Sequence, residues 1–222
     1  MSSTVQAASS GGRIALAGAT GRIGSVLAAS LVSDPVSVMA LTRGPQTARL
    51  PDTTAAVAVD FDQPGSLEAA LHGAQRLFIV HGTSPCQVRN EIALIDAAVK
   101  VGVAHVVKVS SMGPPTTLLP FAWHMAIEAH LATQPLGYTV LRPSAFVDIM
   151  HRAGSQVAAG TWGGAAGEGL VTFIDTRDVA EVARAALLAA LEPGTQRVHH
   201  LTGSRGWSMP QIAEELSRLL GR

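Results

Sequence analysis

The sequence predicts a doubly wound α/β fold, a parallel sheet with helices on both faces, and three observations carry that prediction. Short β-branched apolar runs alternate with longer segments of helical period. The runs lack polar alternation, as strands buried on both faces do. A glycine-rich turn, "AGATGRIG", joins the first run to the first helical segment.

Residues 1–12, "MSSTVQAASSGG", have no basic start and no apolar stretch and read as a disordered tail, so the ordered body is expected from Arg13. "RIALAG" is the first strand and "IGSVLAASLVS" the helix after it. "VSVMALT" and "AAVAVD" are the next two strands. "SLEAALHG" follows as a helix opened by Ser66. The strand "RLFIV" precedes the helix "VRNEIALIDAAVKVG", which Gly102 closes. "HVVKVSS" is the fifth strand. A helix starting near Phe121 and containing "HMAIEAHLATQ" is expected to close at Pro135 and Gly137, before the strand "YTVLRP". After Pro143 the alternation loosens. It recovers with a strand at "VTFI", a helix at "RDVAEVARAALLAAL" started by Asp178, a strand at "RVHHLT" and a closing helix at "SMPQIAEELSRLL". The reading is one domain over 13–222, with 144–222 supplying a substrate lobe across the carboxyl edge of the sheet and residues 160–169, around Trp162, forming a flap over it.

Composition narrows the function. Of 222 residues 47% are hydrophobic, and sixteen acidic residues balance sixteen basic ones, so no net field draws the chain to nucleic acid or an anionic membrane. No run approaches the roughly 18 apolar residues of a membrane span. Cys86 is the only cysteine, which excludes an internal disulfide, suits a reducing cytoplasmic setting and reads as a packed thiol. The expected partner is a small molecule.

The glycine turn points to the Rossmann class of nucleotide sites. Glycine permits positive φ, lets the backbone approach a pyrophosphate and lets the helix pack closely on the strand. Gly18, Thr20, Gly21, Arg22, Ile23 and Gly24 form that turn, and the N–H groups of the helix start face the phosphates. About 20 residues on, an acid would bind an adenosine ribose hydroxyl, but "MALTRGP" offers Arg43 and no acid. A guanidinium suits a 2′-phosphate, so Arg43, with Arg22, favours NADP over NAD. Asp60 and Phe61, at the end of the third strand, either frame the adenine or make a simple strand-end turn.

The ordered set "GATGRIG", "ALTRGP", "VVKVSS", "H-M-A-I-E", "YTVLRPSAF" and "DTRDVAEVA" resembles the atypical short-chain dehydrogenase/reductase proteins of the NmrA-like type, from residue 13 to about 220. That group includes NADPH-dependent quinone and dye reductases and cofactor-sensing regulators. The resemblance implies that Ser110 and Ser111 lie beside the nicotinamide, that His81, Gly82 and Thr83 line the ribose side, and that Pro143, Ser144 and Phe146 flank the carboxamide. It also implies a chain that continues for several dozen residues past a helix like "MPQIAEELSRLLGR". A substrate pocket without them is open, or is completed by a second subunit in a homodimer, or takes a large flat substrate.

The Tyr-x-x-x-Lys pair of typical short-chain dehydrogenases is missing. The only tyrosine, Tyr138, has no lysine four residues on. Thirteen residues after Ser111, in the tyrosine position that the resemblance implies, stands His124, and the lysine position holds Glu128. An imidazole that titrates at about 6.5 can give or take a proton at neutral pH, with Glu128 to orient it or to accept from a cofactor hydroxyl; the alternative is a plain helix-surface pair. Two such groups do not make a metal site, and His199 and His200, adjacent on a strand, face opposite ways. The expected function is hydride transfer from NADPH to a quinone-like or conjugated carbonyl compound, with His124, Ser111 and Glu128 as catalytic candidates and a role in aromatic natural-product metabolism equally open. The rivals are an NADP-binding sensor that turns nothing over and a cofactor-assisted isomerase or cyclase.

Overall fold

The computed structural model describes residues 12–148, 150, 153–163, 167–190 and 192–221. The tail lies outside these up to residue 11. Gly12 belongs to the body, since its carbonyl accepts from the Ser37 N–H.

Seven parallel strands form the main sheet: β1 (Arg13–Ala17), β2 (Ser37–Thr42), β3 (Thr54–Ala58), β4 (Arg76–Ile79), β5 (His105–Val109), β6 (Gly137–Pro143) and, later in the chain, β9 (Gln196–Leu201). Their order is β3-β2-β1-β4-β5-β6-β9, so the chain reverses direction across the sheet at β1. Ligands of such folds lie at that switch point, beyond the carboxyl ends of the strands. Successive β1 residues explain the unbroken apolar runs. Ile14 and Leu16 enter one core and Ala15 and Ala17 the other, and all four are buried.

Helices α2 (Pro64–Leu71), α3 (Gln87–Lys100) and α4 (Phe121–Ala132) cover one face, through Leu67, Leu71, Leu94, Ile95, Ile127 and Leu131. Helix α1 (Arg22–Ser30) and a second long helix, Thr176–Leu188, cover the other through Ile23, Leu27, Val179, Ala183 and Leu187. Between β6 and that second helix come β7 (Ala145–Phe146), the short α5 (Gly154–Ala158) and β8 (Val171–Ile174). Thr176–Leu188 is therefore α6, and after β9 come β10 (Gly206–Trp207) and α7 (Met209–Leu220). A separate small sheet runs β10-β8-β7. Of residues 144–222, α6 and β9 thus join the main layers. Residues 164–166 of the expected flap lie outside the described residues.

Three expected boundaries move, each for a physical reason. Helix α2 begins at Pro64, whose fixed φ suits a first helical position, and the Ser66 hydroxyl accepts from the Asp60 N–H. Helix α4 ends at Ala132. Gly137 instead opens β6, where a Cβ would stand 2.6 Å from His105 Nδ1, so it serves close packing and not a helix end. Asp175, not Asp178, caps α6, accepting from the Arg177 N–H at 2.8 Å. Among the described residues no helix is long and apolar enough to cross a membrane.

Candidate active site

The turn after β1 is shaped by two glycines more than by the third. Gly18 has φ +90°, and a Cβ there would lie 2.2 Å from the Val80 carbonyl oxygen. At Gly24 a Cβ would lie 2.1 Å from the Gly18 carbonyl oxygen, so α1 can cross the turn only without a side chain at that point. Gly21 is under less constraint, 3.3 Å from the same oxygen. No side chain caps α1 and no acidic residue stands in its first turn, so its leading N–H groups, on Arg22, Ile23 and Gly24, face outward as anion donors.

Gly21, Arg22 and Ile23 line a cleft of about 1710 Å³ along the carboxyl ends of the strands, well beyond the roughly 300–1,000 Å³ of a pocket for one drug-sized ligand. At the end nearest β2 it is lined by Arg22, Arg43 and Arg49, none of which has an ion-pair partner among the described residues. Arg49 was not anticipated, because nothing in "QTARLP" distinguishes it from a solvated loop residue. Asp60, Phe61 and Asp62 also line the cleft. The Asp60 carboxylate accepts from the Asp62 N–H at 2.9 Å and from Gln63 Nε2 at 3.1 Å, fastening the strand-end turn, while Asp62 pairs with Arg89 at 3.2 Å.

Midway along stand His81, Gly82 and Thr83. The Gly82 carbonyl can only accept, so its 2.5 Å approach to His81 Nδ1 puts the proton on that nitrogen and leaves Nε2 to accept from Asn90 Nδ2 at 3.2 Å. Cys86, expected to be a packed thiol, is exposed and lines the same cleft, because it sits at the start of α3 and not within it.

The far end holds Ser110, His124, Phe146 and Thr176. His124 also lines a second cavity of about 140 Å³ with Ser111, Phe121, Met125, Glu128 and Arg142. Glu128 is not turned toward the imidazole. It accepts from the Ser110 hydroxyl and holds Arg142 through Nε at 3.3 and 3.2 Å and Nη2 at 2.5 Å. Burial raises its carboxyl, but the hydrogen bonds from Arg142 and Ser110 outweigh that and keep it below the usual range.

The neighbours of His124 come instead from β5 and α3: Lys108 Nζ is 3.4 Å from Nδ1, and Gln87 Nε2 lies 3.5 and 3.4 Å from the two ring nitrogens. Burial, together with the Lys108 ammonium, pushes the imidazole down to about 4, against an opposing pull from Glu91 and Glu128. His124 is therefore neutral at pH 7, a hydrogen-bond donor or acceptor and not the group expected, from its ordinary value, to give or take a proton readily at that pH. Gly24, Pro143 and Ser144 lie off the main cleft. Pro143 ends β6, and the buried Ser144 hydroxyl has no partner among the described residues. His199 and His200 are exposed on β9, and no three metal-ligating side chains gather among the described residues.

The profile of a family described as NAD(P)H-binding matches residues 18–190. The chain belongs to that family. It is 31% identical over 215 residues to an NAD(P)H azoreductase of Xenophilus azovorans, covering 94% of this chain and 74% of the relative. It is 29% identical over 222 residues to quinone oxidoreductase 2 of Escherichia coli (strain K12), covering 94% and 75%. The structure of the NADPH-dependent quinone oxidoreductase QOR2 from Escherichia coli, complexed with NADPH, superposes with a TM-score of 0.83 at 26% identity over 94% of this chain and 76% of that one. The fold is shared with the triphenylmethane reductase of Citrobacter sp., at a TM-score of 0.85.

The cleft fits a dinucleotide phosphate on its own evidence. The turn excludes side chains at Gly18 and Gly24, α1 starts uncapped, and three guanidinium groups without an ion-pair partner among the described residues line the end where a carboxylate would repel a 2′-phosphate.

Proposed function

We propose that this chain is an NADPH-dependent oxidoreductase that reduces a quinone-like or conjugated carbonyl compound. One observation carries the reading: a single cleft runs from the glycine turn and the three arginines to the neutral imidazole of His124. The named activities of the azoreductase and quinone oxidoreductase relatives support the same reading.

In this reading the outward N–H groups of α1 hold the diphosphate, Arg22, Arg43 and Arg49 the 2′-phosphate, and Phe61 the adenine edge. His81 to Thr83 line the ribose side, with Ser110 and Phe146 beside the nicotinamide. The bound cofactor supplies the hydride. His124 offers a hydrogen bond to the oxygen of the acceptor as charge develops there, a demand that a neutral imidazole meets when the reduced product is a stable hydroquinone-type anion. Ser110 is held by Glu128, and Glu128 by Arg142, which fixes the wall between the two cavities. The substrate stands against His124 in the same cleft as the nicotinamide, at the end lined by Ser110 and Phe146. A cytoplasmic setting, supported by the lone cysteine, completes the proposal.

The test is cofactor absorbance on mixing NADPH with a panel of quinones, azo dyes and aldehydes. Reduction of quinones, falling on the order of 10²-fold in His124→Ala, is the expected result. Tight NADPH binding without turnover anywhere in the panel would overturn it in favour of a sensor.

A further inference from the structure

Lys108 is the fourth residue of β5 and is fully buried. An ammonium in that setting requires acceptors on every side. Two are plain: Glu91 Oε2 of α3 at 2.7 Å and the Val109 carbonyl at 3.1 Å. The third direction leads to Nδ1 of His124 at 3.4 Å.

An ammonium has protons and no lone pair, so the ring nitrogen it faces must be the accepting one. Were Nδ1 protonated, two donors would point at each other in a buried space. Gln87, fully buried, does not decide the matter. Its amide nitrogen is pinned to Glu91 Oε1 at 2.9 Å and stands nearly equidistant from the two ring nitrogens. Lys108 alone distinguishes them. The other charged groups that act on the ring are Glu91 on α3 and, through space, Glu128 on the helix of His124 itself, whose carboxylate is tied to Arg142 on β6.

We infer that Lys108 is a positioning residue: its buried ammonium, anchored by Glu91, holds His124 as the Nε2–H tautomer, so that the imidazole presents one fixed neutral N–H donor to the acceptor. The tautomer stands on the geometry alone, and its use in catalysis rests on the oxidoreductase reading above. Two side chains that the sequence reading did not single out thereby set the direction of the hydrogen bond at the reacting end of the cleft.

The test is nitrogen NMR on protein carrying ¹⁵N-labelled imidazoles, with the His124 signals assigned by their loss in His124→Asn. The expected native pattern is a protonated Nε2 and an unprotonated Nδ1, unchanged from about pH 8 down to about pH 5. The double variant Lys108→Met, Glu91→Gln, which leaves neither charge buried alone, is expected to average the two tautomers and lower kcat for quinone reduction about tenfold, with KM for NADPH unmoved. A native Nδ1–H tautomer, a measurement that needs no variant to fold, would overturn the inference, as would an unaltered pattern in the double variant. A native Nε2–H tautomer in a protein that reduces no acceptor would instead remove the oxidoreductase reading and leave the inference standing.

Discussion

Removing the Lys108 side-chain charge tests the buried pair most directly. Lys108 and Glu91 both have fully buried side chains, 2.7 Å apart. With an effective dielectric of about 20, the attraction at that distance is about 6 kcal/mol, set against a desolvation penalty of several kcal/mol per ion. Lys108→Met keeps most of the apolar volume but leaves the Glu91 carboxylate without its cation, which is expected to cost about 3–5 kcal/mol. Glu91→Gln in the same chain removes the stranded charge and should recover most of that loss, because the remaining groups are neutral and of similar shape. The assay is urea unfolding of the four proteins in the cycle, with slopes compared to confirm that the same surface is exposed in each. A loss below about 1 kcal/mol in Lys108→Met, or a double variant whose loss is the sum of the singles, would refute the reasoning.

Other expectations follow from the same geometry. Gly24→Ala drives a methyl group to 2.1 Å from the Gly18 carbonyl oxygen, so about 1–3 kcal/mol of stability should go, visible as a lower Tm. Arg43→Ala should raise KM for NADPH on the order of 10-fold and leave NADH almost unchanged, the loss expected of one charged hydrogen-bonding group, and Arg49→Ala should act in the same direction. His105, like His124, is lowered to about 4, chiefly by burial. In both cases the unfolded chain binds the proton first, so stability should be full above about pH 6.5 and decline as pH falls towards 4. Unfolding midpoints across that range should show it, and His105→Gln should flatten the slope. Asp175, held at about 2 by Arg177, works in the same sense over a lower range: the stability it gives is present above about pH 4 and lost as pH falls through 2, and Asp175→Ala should cost about 1 kcal/mol at neutral pH.

The central strands were legible because β1, β2, β4 and β5 are apolar runs buried on both faces, a pattern that survives without knowledge of its neighbours, whereas the edge strands β3 and β9 are largely exposed. Helix ends were less so. Asp178 and Asp175 both precede the same apolar period, and only the backbone shows which side chain reaches an N–H. In the site, the glycine turn was read from local sterics, whereas the surroundings of His124 depended on residues far apart in the chain. The i,i+4 spacing suggested Glu128 as its partner, yet Arg142, fourteen residues further on, takes that carboxylate. Lys108 did leave a trace. A lysine inside "VVKVSS" interrupts a strand otherwise suited to burial on both faces, and a charge there demands a counter-charge from a covering helix. Glu91 answers that demand from seventeen residues away, across a crossover that no local pattern specifies.

The bare beginning of α1 makes nucleotide supply a contributor to folding. Whatever anion seats there binds the native chain and not the unfolded one, adding about 2.7 kcal/mol when its concentration is a hundred times Kd. Set beside a net stability of about 5–15 kcal/mol for a typical domain, that is a substantial share. The lifetime of the protein against proteolysis should therefore lengthen and shorten with the pool of the dinucleotide it uses.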